Sequence, residues 1–333
     1  MSIARRIAVT WLVFGMAAVI VCLLAPLVGS TPISLWRVFD SSVPFSDNAD
    51  AQIFFIARLP RVLAGALVGS SLAASGVVLQ ALLRNPLATP FTLGVSAGAA
   101  LGAMLALTFD LSSGIAGFSA VPMASFAGSL GAVAIVYGLA RARHRGLSTN
   151  VLLLAGVTLN SFFSALILFV QFLSDFTQTF RTVRWLMGDL DVSSYTPLMA
   201  ALPPIALSFA AFAVLPRRMN LLSISEESAA SRGVDVHRTQ RLAFLSASLA
   251  TGAAVSLGGP IGFIGIVVPH LIRLMVGADH RLVLPASAFG GAAFLVACDT
   301  VSRTALAPLE IPVGVVTAII GGPFFLWLLI RHR

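Results

Sequence analysis

Long apolar runs, separated by short clusters of arginine, proline and glycine, fill the chain from end to end. They fall at about 7–29, 60–82, 91–109, 117–140, 151–173, 196–215, 241–257, 260–277, 282–305 and 312–330. Most are long enough, at about 1.5 Å per helical residue, to cross a hydrocarbon core about 30 Å thick. In lipid a helix satisfies its own backbone polar groups. The pattern therefore predicts an all-α, polytopic membrane protein of about ten transmembrane helices. Around 241–277 the division is open, because Gly258-Gly259-Pro260 fits either a hairpin or a break inside one longer element. The first run follows Arg5-Arg6 as a secretory signal would, but it is longer than a signal core and is read as a retained span.

The residues between and within the runs refine this picture. Gly65 and Gly69, then Gly94, Gly98 and Gly102, recur at every fourth residue, the spacing that lets helices touch backbone to backbone. The longest connection on the side of the N-terminus is 216–240, which holds Glu226, Glu227, Arg232, Asp235 and His237. Ser225 is placed to cap a short helix from Glu226 to Ala230, ending near Gly233. A solvated connector and a docking surface explain this segment equally well. Of the other two long connections, 30–57 carries Asp40, Asp47 and Asp50. In 173–194, residues Phe176 to Met187 fit a short surface helix with Trp185 as an interfacial anchor.

Composition removes the competing classes. Only 10% of residues are charged and 58% are hydrophobic, with a mean hydropathy of +0.96. A soluble domain carries about 25% charged residues, so lipid must be the solvent here. The roughly ten-residue alternating segments of an outer-membrane barrel are absent. The net charge is +8, and all 21 basic residues are arginine. Without lysine, a Walker A nucleotide loop is impossible. With the N-terminus in the cytoplasm, Arg5, Arg6, Arg84, Arg141, Arg143, Arg145, Arg217, Arg218, Arg232, Arg238, Arg241, Arg281, Arg331 and Arg333 fall inside. Arg37, Arg58, Arg61, Arg181, Arg184 and Arg303 fall outside, and Arg273 lies near an inner span end. This imbalance favours both termini on the cytoplasmic side, and it is not a nucleic-acid footprint. Cys22 and Cys298 lie in apolar runs without ligand spacing. No nucleophile–base, paired-carboxylate or His/Cys constellation appears. Hence no catalytic residue, metal site or cofactor is expected, and the chain is not expected to be an enzyme.

One ordered set of motifs carries a resemblance. It comprises Arg58-Leu59-Pro60-Arg61, Ser75-Gly76, Gln80, Arg84-Asn85-Pro86-Leu87-Ala88, Pro90 and Leu93-Gly94-Val95-Ser96-Ala97-Gly98. It continues at Leu147-Ser148-Thr149, Leu152-Leu153-Leu154-Ala155-Gly156, Gly259-Pro260-Ile261-Gly262-Phe263-Ile264-Gly265, Val268-Pro269-His270 and Asp279-His280-Arg281. It closes at Ile311-Pro312-Val313-Gly314-Val315-Val316-Thr317 and Gly322-Pro323-Phe324-Phe325. Across almost its whole length the chain resembles the FecCD family, the permease subunits of ATP-binding-cassette importers for iron-siderophore complexes, haem and cobalamin. The resemblance implies a type II importer permease fold, with helices 2–5 repeated as 7–10. It also implies a homodimer, a cytoplasmic ATPase dimer that carries the ATP hydrolysis, and a periplasmic or lipid-anchored substrate-binding protein. The family has glycine before its paired glutamates, and here Ser225 takes that place.

The same resemblance assigns roles, each beside a plainer one. Arg58, Arg61 and Arg303 are implied to dock the binding protein, while arginines near helix ends also commonly snorkel. Asp299 and Arg303, four apart, are placed to form a salt bridge. Ser225, Glu226, Glu227, Arg232 and Gly233 are implied to couple to the ATPase. Asn85, Leu87, Thr149 and Asn150 are implied to gate the cytoplasmic end, and they also read as turn and cap residues. Asn160 and Ser164 fit pathway lining or polar glue within the bundle. The chain is thus read as one permease domain, 1–333, containing a coupling loop at 216–240. It would be a multi-pass protein of a bacterial inner membrane, contacting lipid and no nucleic acid. The alternative is a stand-alone secondary transporter or channel. That class predicts buried acid or histidine clusters, or half-helices around a midplane site.

Overall fold

A computed structural model describes residues 2–111, 119–143, 149–192 and 194–331. Among the described residues there are ten long helices and no strand. They are α1 (Ile3–Leu24), α2 (Ala49–Leu82), α3 (Val95–Thr108), α4 (Ala120–Arg143) and α5 (Thr149–Leu173). Then follow α6 (Thr196–Val214), α7 (Val236–Gly258), α8 (Ile264–Val276), α9 (His280–Thr304) and α10 (Val313–Arg331). Seven are long and apolar enough to cross a membrane, and α3, α8 and α10 are shorter apolar helices. Their order reproduces the ten apolar runs. The expected start of the fourth run at 117, and Arg145, Leu147, Ser148 and Arg333, lie outside the described residues.

The segment at Gly258-Gly259-Pro260 is a true break. Gly259 adopts φ +69 and Phe263 φ +68, and α8 starts afresh at Ile264. The coupling segment is also more ordered than a loop. It folds as Pro216–Leu222 and Glu226–Ser231, and its last residues already belong to α7.

The longest departure from hydropathy is in α2. Its spanning run was expected from residue 60, yet the helix begins at Ala49, where Asn48 accepts a hydrogen bond from the Ala51 N–H at 3.0 Å. Ile53-Phe54-Phe55-Ile56 carries the helix past the polar residues. A widened, π-type turn over Ile53–Arg58 directly precedes Pro60. Such a turn relieves the clash between a proline ring and the carbonyl four residues back. Arg58 and Arg61 therefore sit inside a helix rather than at its rim.

α2 is the centre of the bundle, with 78% of its spanning window buried. It packs between α9 and α7, and also against α8. α7 packs against α4 and α3 just as α2 packs against α9 and α8. α3 lies on α4 and α5, and α8 lies on α9 and α10. Exchanging α2–α5 with α7–α10 maps this set of neighbours onto itself, which is the repeat of helices 2–5 as 7–10 that the resemblance implies. α1 stands outside it and leans on α9.

The tight crossings are made at glycines. A Cβ on Gly69 would overlap the Gly291 carbonyl, and one on Gly76 would overlap the Gly265 carbonyl. Gly98 and Gly102 approach Gly128 and Ala124 of α4 in the same way. Gly94 breaks that series: it precedes α3 as its N-cap at φ +79, so its glycine serves a left-handed turn. The obstacle to a side chain at Gly69 is backbone on both sides, so it cannot yield cheaply. Gly69→Ala should lower the thermal unfolding midpoint of the purified protein clearly. Gly131→Ala, with nothing within 4 Å of its Cβ, should leave the midpoint unchanged or raise it slightly.

Candidate functional site

Two polar assemblies close the two ends of the bundle. Arg6 donates to the Val276 carbonyl at 3.2 Å, so α1 starts where α8 ends. α10 runs beside α8, with the His270 and Phe324 rings 6.5 Å apart, and it ends at that same face. This end is the termini face.

At the opposite face, Asp299 of α9 is 1% exposed and lies between two guanidiniums. Arg61 Nε donates to Oδ1 at 2.8 Å and Arg303 Nε to Oδ2 at 3.1 Å. Arg61 also reaches Glu310 in the α9–α10 connection, at 2.6 Å. Arg303 donates onward to the carbonyls of Val28 and Ala25, at 3.1 and 3.3 Å. Arg58 donates to the Pro26 carbonyl at 2.9 Å and to that of Thr31. A carboxylate this deep is tolerated only with full pairing, and both its oxygens are met. The expected Asp299–Arg303 bridge is present. The expectation that Arg58, Arg61 and Arg303 form an open docking patch gives way. All three are 5–6% exposed, and their donors face carboxylates and carbonyls of this same chain. Glu310 is the member of the cluster to which the sequence reading assigned no role. Its only signal was a carboxylate standing directly before Ile311-Pro312.

At the termini face, Ser225 caps Glu226–Ser231 by accepting from the Ser228 N–H at 2.9 Å, and Gly233 follows at φ +80. Glu226 and Glu227 occupy the first turn, where acidic residues favour the helix dipole. The Glu226 carboxylate accepts from Arg84 and from Gln240 of α7, each at 3.2 Å. Arg84 belongs to the turn that holds Asn85 and Leu87, where the Asn85 side chain accepts from the Leu87 N–H at 2.9 Å. The capped helix, the mouth turn and the start of α7 thus share one carboxylate. The neighbouring helix Pro216–Leu222 is anchored by Asn220. Its amide donates to Asp279 at 2.7 Å, and its oxygen accepts from the His280 backbone N–H at 2.9 Å. Hydrogen bonds from Arg281 hold the Asp279 carboxyl well below the usual carboxylate range. That anchor is complete above the ordinary carboxylate pKa and is lost only in strong acid, so it stays charged near neutrality.

The remaining polar candidates separate. Asn160 does not face open space: its amide donates to the Phe91 carbonyl at 2.7 Å and fixes the Pro90–Leu93 turn below α3. Of the two readings of Asn160, pathway lining and polar glue, this bond is of the second kind. Ser164 is exposed, on the face of α5 that also carries Leu154, Val157, Leu168 and Phe172. α10 has a similar uncovered face at Ile319, Ile320 and Leu326. Thr149 is half-buried and Asn150 exposed at the start of α5. Glu227 and Arg232 are exposed. Trp185 packs half-buried against the cluster of Ala100, Met104 and Ile167.

Between the ends, Gly188 wedges into the bundle. The Asp189 N–H donates to the Gly258 carbonyl at 3.0 Å, and the Gly314 N–H to that of Gly188 at 3.4 Å. Beside this knot, Met187, Phe263, Val315 and Ile319 line an open apolar hollow of about 510 Å³. α8 begins here, level with the middle of α2, since Gly258 packs on Val68 and Gly265 on Gly76. The rival class predicted such a half-helix. Its alternative signature was a buried acid or histidine cluster, and no group of three or more His, Cys, Asp or Glu side chains converges among the described residues.

Comparison with known proteins decides between them. The model of the FecCD transport family matches residues 17–331. The chain belongs to the FecCD transport family. It is 40% identical to a hemin transport system permease protein of Yersinia pestis, over 92% of this chain and 90% of that one. It is 48% identical to a cobalamin import system permease protein of Halobacterium salinarum, over 82% of this chain and 72% of that one. Among solved structures it resembles an inward-facing metal-chelate type ABC transporter. The TM-score is 0.80 at 32% identity, covering 98% of this chain and 99% of that one. This FecCD chain is a transmembrane permease subunit of an ATP-binding-cassette importer, from a family of transport permeases and not of enzymes.

In the FecCD chain the Asp299 cluster joins four elements, so its removal has a defined signature. Asp299→Asn leaves Arg61 and Arg303 facing each other without their shared charge. It should destabilise the protein by about 3–5 kcal/mol, read as a large fall in the unfolding midpoint in detergent. Glu310→Gln, at a carboxylate 43% exposed, should cost much less.

Proposed function

We propose that two copies of this chain form the membrane channel of an importer for a metal chelate, haem or corrinoid in a bacterial inner membrane. The termini face lies in the cytoplasm, as the arginine distribution favours. A cytoplasmic ATPase dimer docks there, and a periplasmic or lipid-anchored binding protein delivers substrate to the opposite face. The observation that carries this reading is the shared Glu226 carboxylate. An ATPase that moves the exposed Glu226–Ser231 helix pulls directly on the Arg84–Leu87 turn and on α7. The exposed Ile224 beside it offers a soluble partner an apolar contact.

The uncovered faces of α5 and α10 support a second copy packing there, with the substrate path between the two pairs. Such a path would be wide and weakly polar, in keeping with bulky, partly apolar ligands. Names of similar proteins support this ligand class: hemin in one case, cobalamin in another. At the opposite face, Arg58, Arg61 and Arg303 would act by holding the Ala25–Thr31 and Leu306–Ile311 segments in place for the binding protein.

Vesicles containing the chain, its ATPase and its binding protein should take up haem, an iron-siderophore or cobalamin only with ATP. No ATP-dependent uptake of any of them would overturn the proposal. In the same vesicles Glu226→Ala should leave ATP hydrolysis largely intact while cutting uptake about tenfold or more. Both the Arg84 bridge and the Gln240 bond are lost in that variant. Unchanged uptake would remove Glu226 from the coupling path.

A further inference from the structure

A second cavity lies far from the α5–α10 face. It measures about 700 Å³, within the roughly 300–1,000 Å³ of ordinary ligand pockets. Its floor is α2 and α9, at Ala74, Leu284 and Ala288. α1 forms one wall through Ile7 and Trp11, and α6 forms the other through Phe209 and Phe212. α1 leans on α9 and α6 leans on α7, and this cleft separates them. Both walls continue outward as exposed apolar surface, at Leu12 and Met16 on α1 and at Leu207 and Val214 on α6. The cavity is therefore flanked on both sides by apolar surface of the kind that faces hydrocarbon in a spanning helix.

Its lining is apolar except at one end. There Arg217, from the first turn of Pro216–Leu222, and Arg281, from the first turn of α9, both reach the cavity. Arg281 is held by Asp279 at 2.6 Å. Arg217 has no acidic partner among the described residues. Two guanidiniums against one carboxylate leave a positive excess at the level of the termini face. Aliphatic chains fit the floor and walls, and a phosphate fits the guanidinium end, because planar donor forks match phosphate oxygens.

We propose that this cleft is a binding site for one anionic phospholipid of the surrounding membrane. Its acyl chains lie between α1 and α6, and its phosphate is held by Arg217 and Arg281. The chemistry specifies a single occupant. A second copy of this chain would have to bring an acidic group to Arg217 at the end of an apolar ridge, and the acidic residues at the termini-face ends of the long helices, Asp235 of α7 and Asp279 of α9, are engaged in capping their own helices. A free phosphate would leave the apolar length of the cleft unfilled. The site adjoins the Asn220 anchor, so a bound lipid braces the helix Pro216–Leu222 against α9 independently of any ATPase.

The test uses the purified full chain in nanodiscs and native mass spectrometry, with phosphatidylglycerol and phosphatidylcholine as the two probes. One retained phosphatidylglycerol per chain is expected, in preference to phosphatidylcholine. Arg217→Ala, at an exposed and unpaired side chain, should weaken that binding about tenfold without lowering the unfolding midpoint in lipid-free detergent. Ala213→Trp should fill the cleft and expel the lipid while leaving both arginines in place. Equal retention of the two lipids, or retention unaffected by both substitutions, would overturn the proposal. Displacement of the bound lipid by inorganic phosphate alone would overturn it too, because the acyl chains would then contribute nothing.

Discussion

Contact between helix backbones along α2 is the constraint on which the rest of this molecule depends. Lipid tails are as apolar as leucine, so burying apolar surface between helices gives little drive in a membrane. What remains is close packing, and close packing needs surfaces without side chains in the way. Gly69 against Gly291 and Gly76 against Gly265 supply those surfaces at two levels of the same helix. They hold α9 on one side of α2 and the start of α8 on another. With α7 packed alongside, α2 becomes the axis about which the two halves of the chain are related. The short helices α3 and α8 follow from this arrangement. Each begins beyond an irregular segment that lies buried or half-buried in the protein, at Pro90–Leu93 and at Gly259–Phe263.

Polar groups then tie the ends of a scaffold that packing alone leaves free to slide. The Asp299 cluster joins the end of α1, the upper part of α2, α9 and the α9–α10 connection. Its value lies less in net stability than in register, because a buried carboxylate with two guanidiniums has one low-energy arrangement. The extension of α2 to Ala49 places Arg58 and Arg61 deep enough to take part. At the termini face the bridges are exposed and individually weak, with Arg84 and Glu226 both about half exposed. The contrast suits their positions. The deep cluster has both carboxylate oxygens paired away from solvent, while the shared Glu226 carboxylate links three elements through exposed bonds.

Much of this was legible in the residues. The ten spans, the Ser225 cap, the Asp299–Arg303 pair and the small-residue crossings all follow from local rules of length, capping and spacing. The roles of the arginines were not legible. Arg58, Arg61 and Arg303 looked like rim residues because hydropathy ends a span at the first charge. A helix continued by Ile53-Phe54-Phe55-Ile56, with a widened turn before Pro60, is invisible to that rule. Asn160 was left with two readings for a similar reason. A polar residue on a helix can face a path or a neighbouring carbonyl, and only the position of Phe91 settles which.

The sequence by itself determined the solvent, the number of spans, their order and the capped helix at Glu226–Ser231. Each of these is set by the free energy of a segment in lipid or by contacts within a few residues. Tertiary structure alone decided which charges are buried, that Glu310 completes the cluster and that Glu226 answers both Arg84 and Gln240. It also opened a cleft between α1 and α6 with Arg217 and Arg281 at its end. These are meetings of residues from 14 to 249 positions apart. They exist only once the glycine crossings have set the distances between helices.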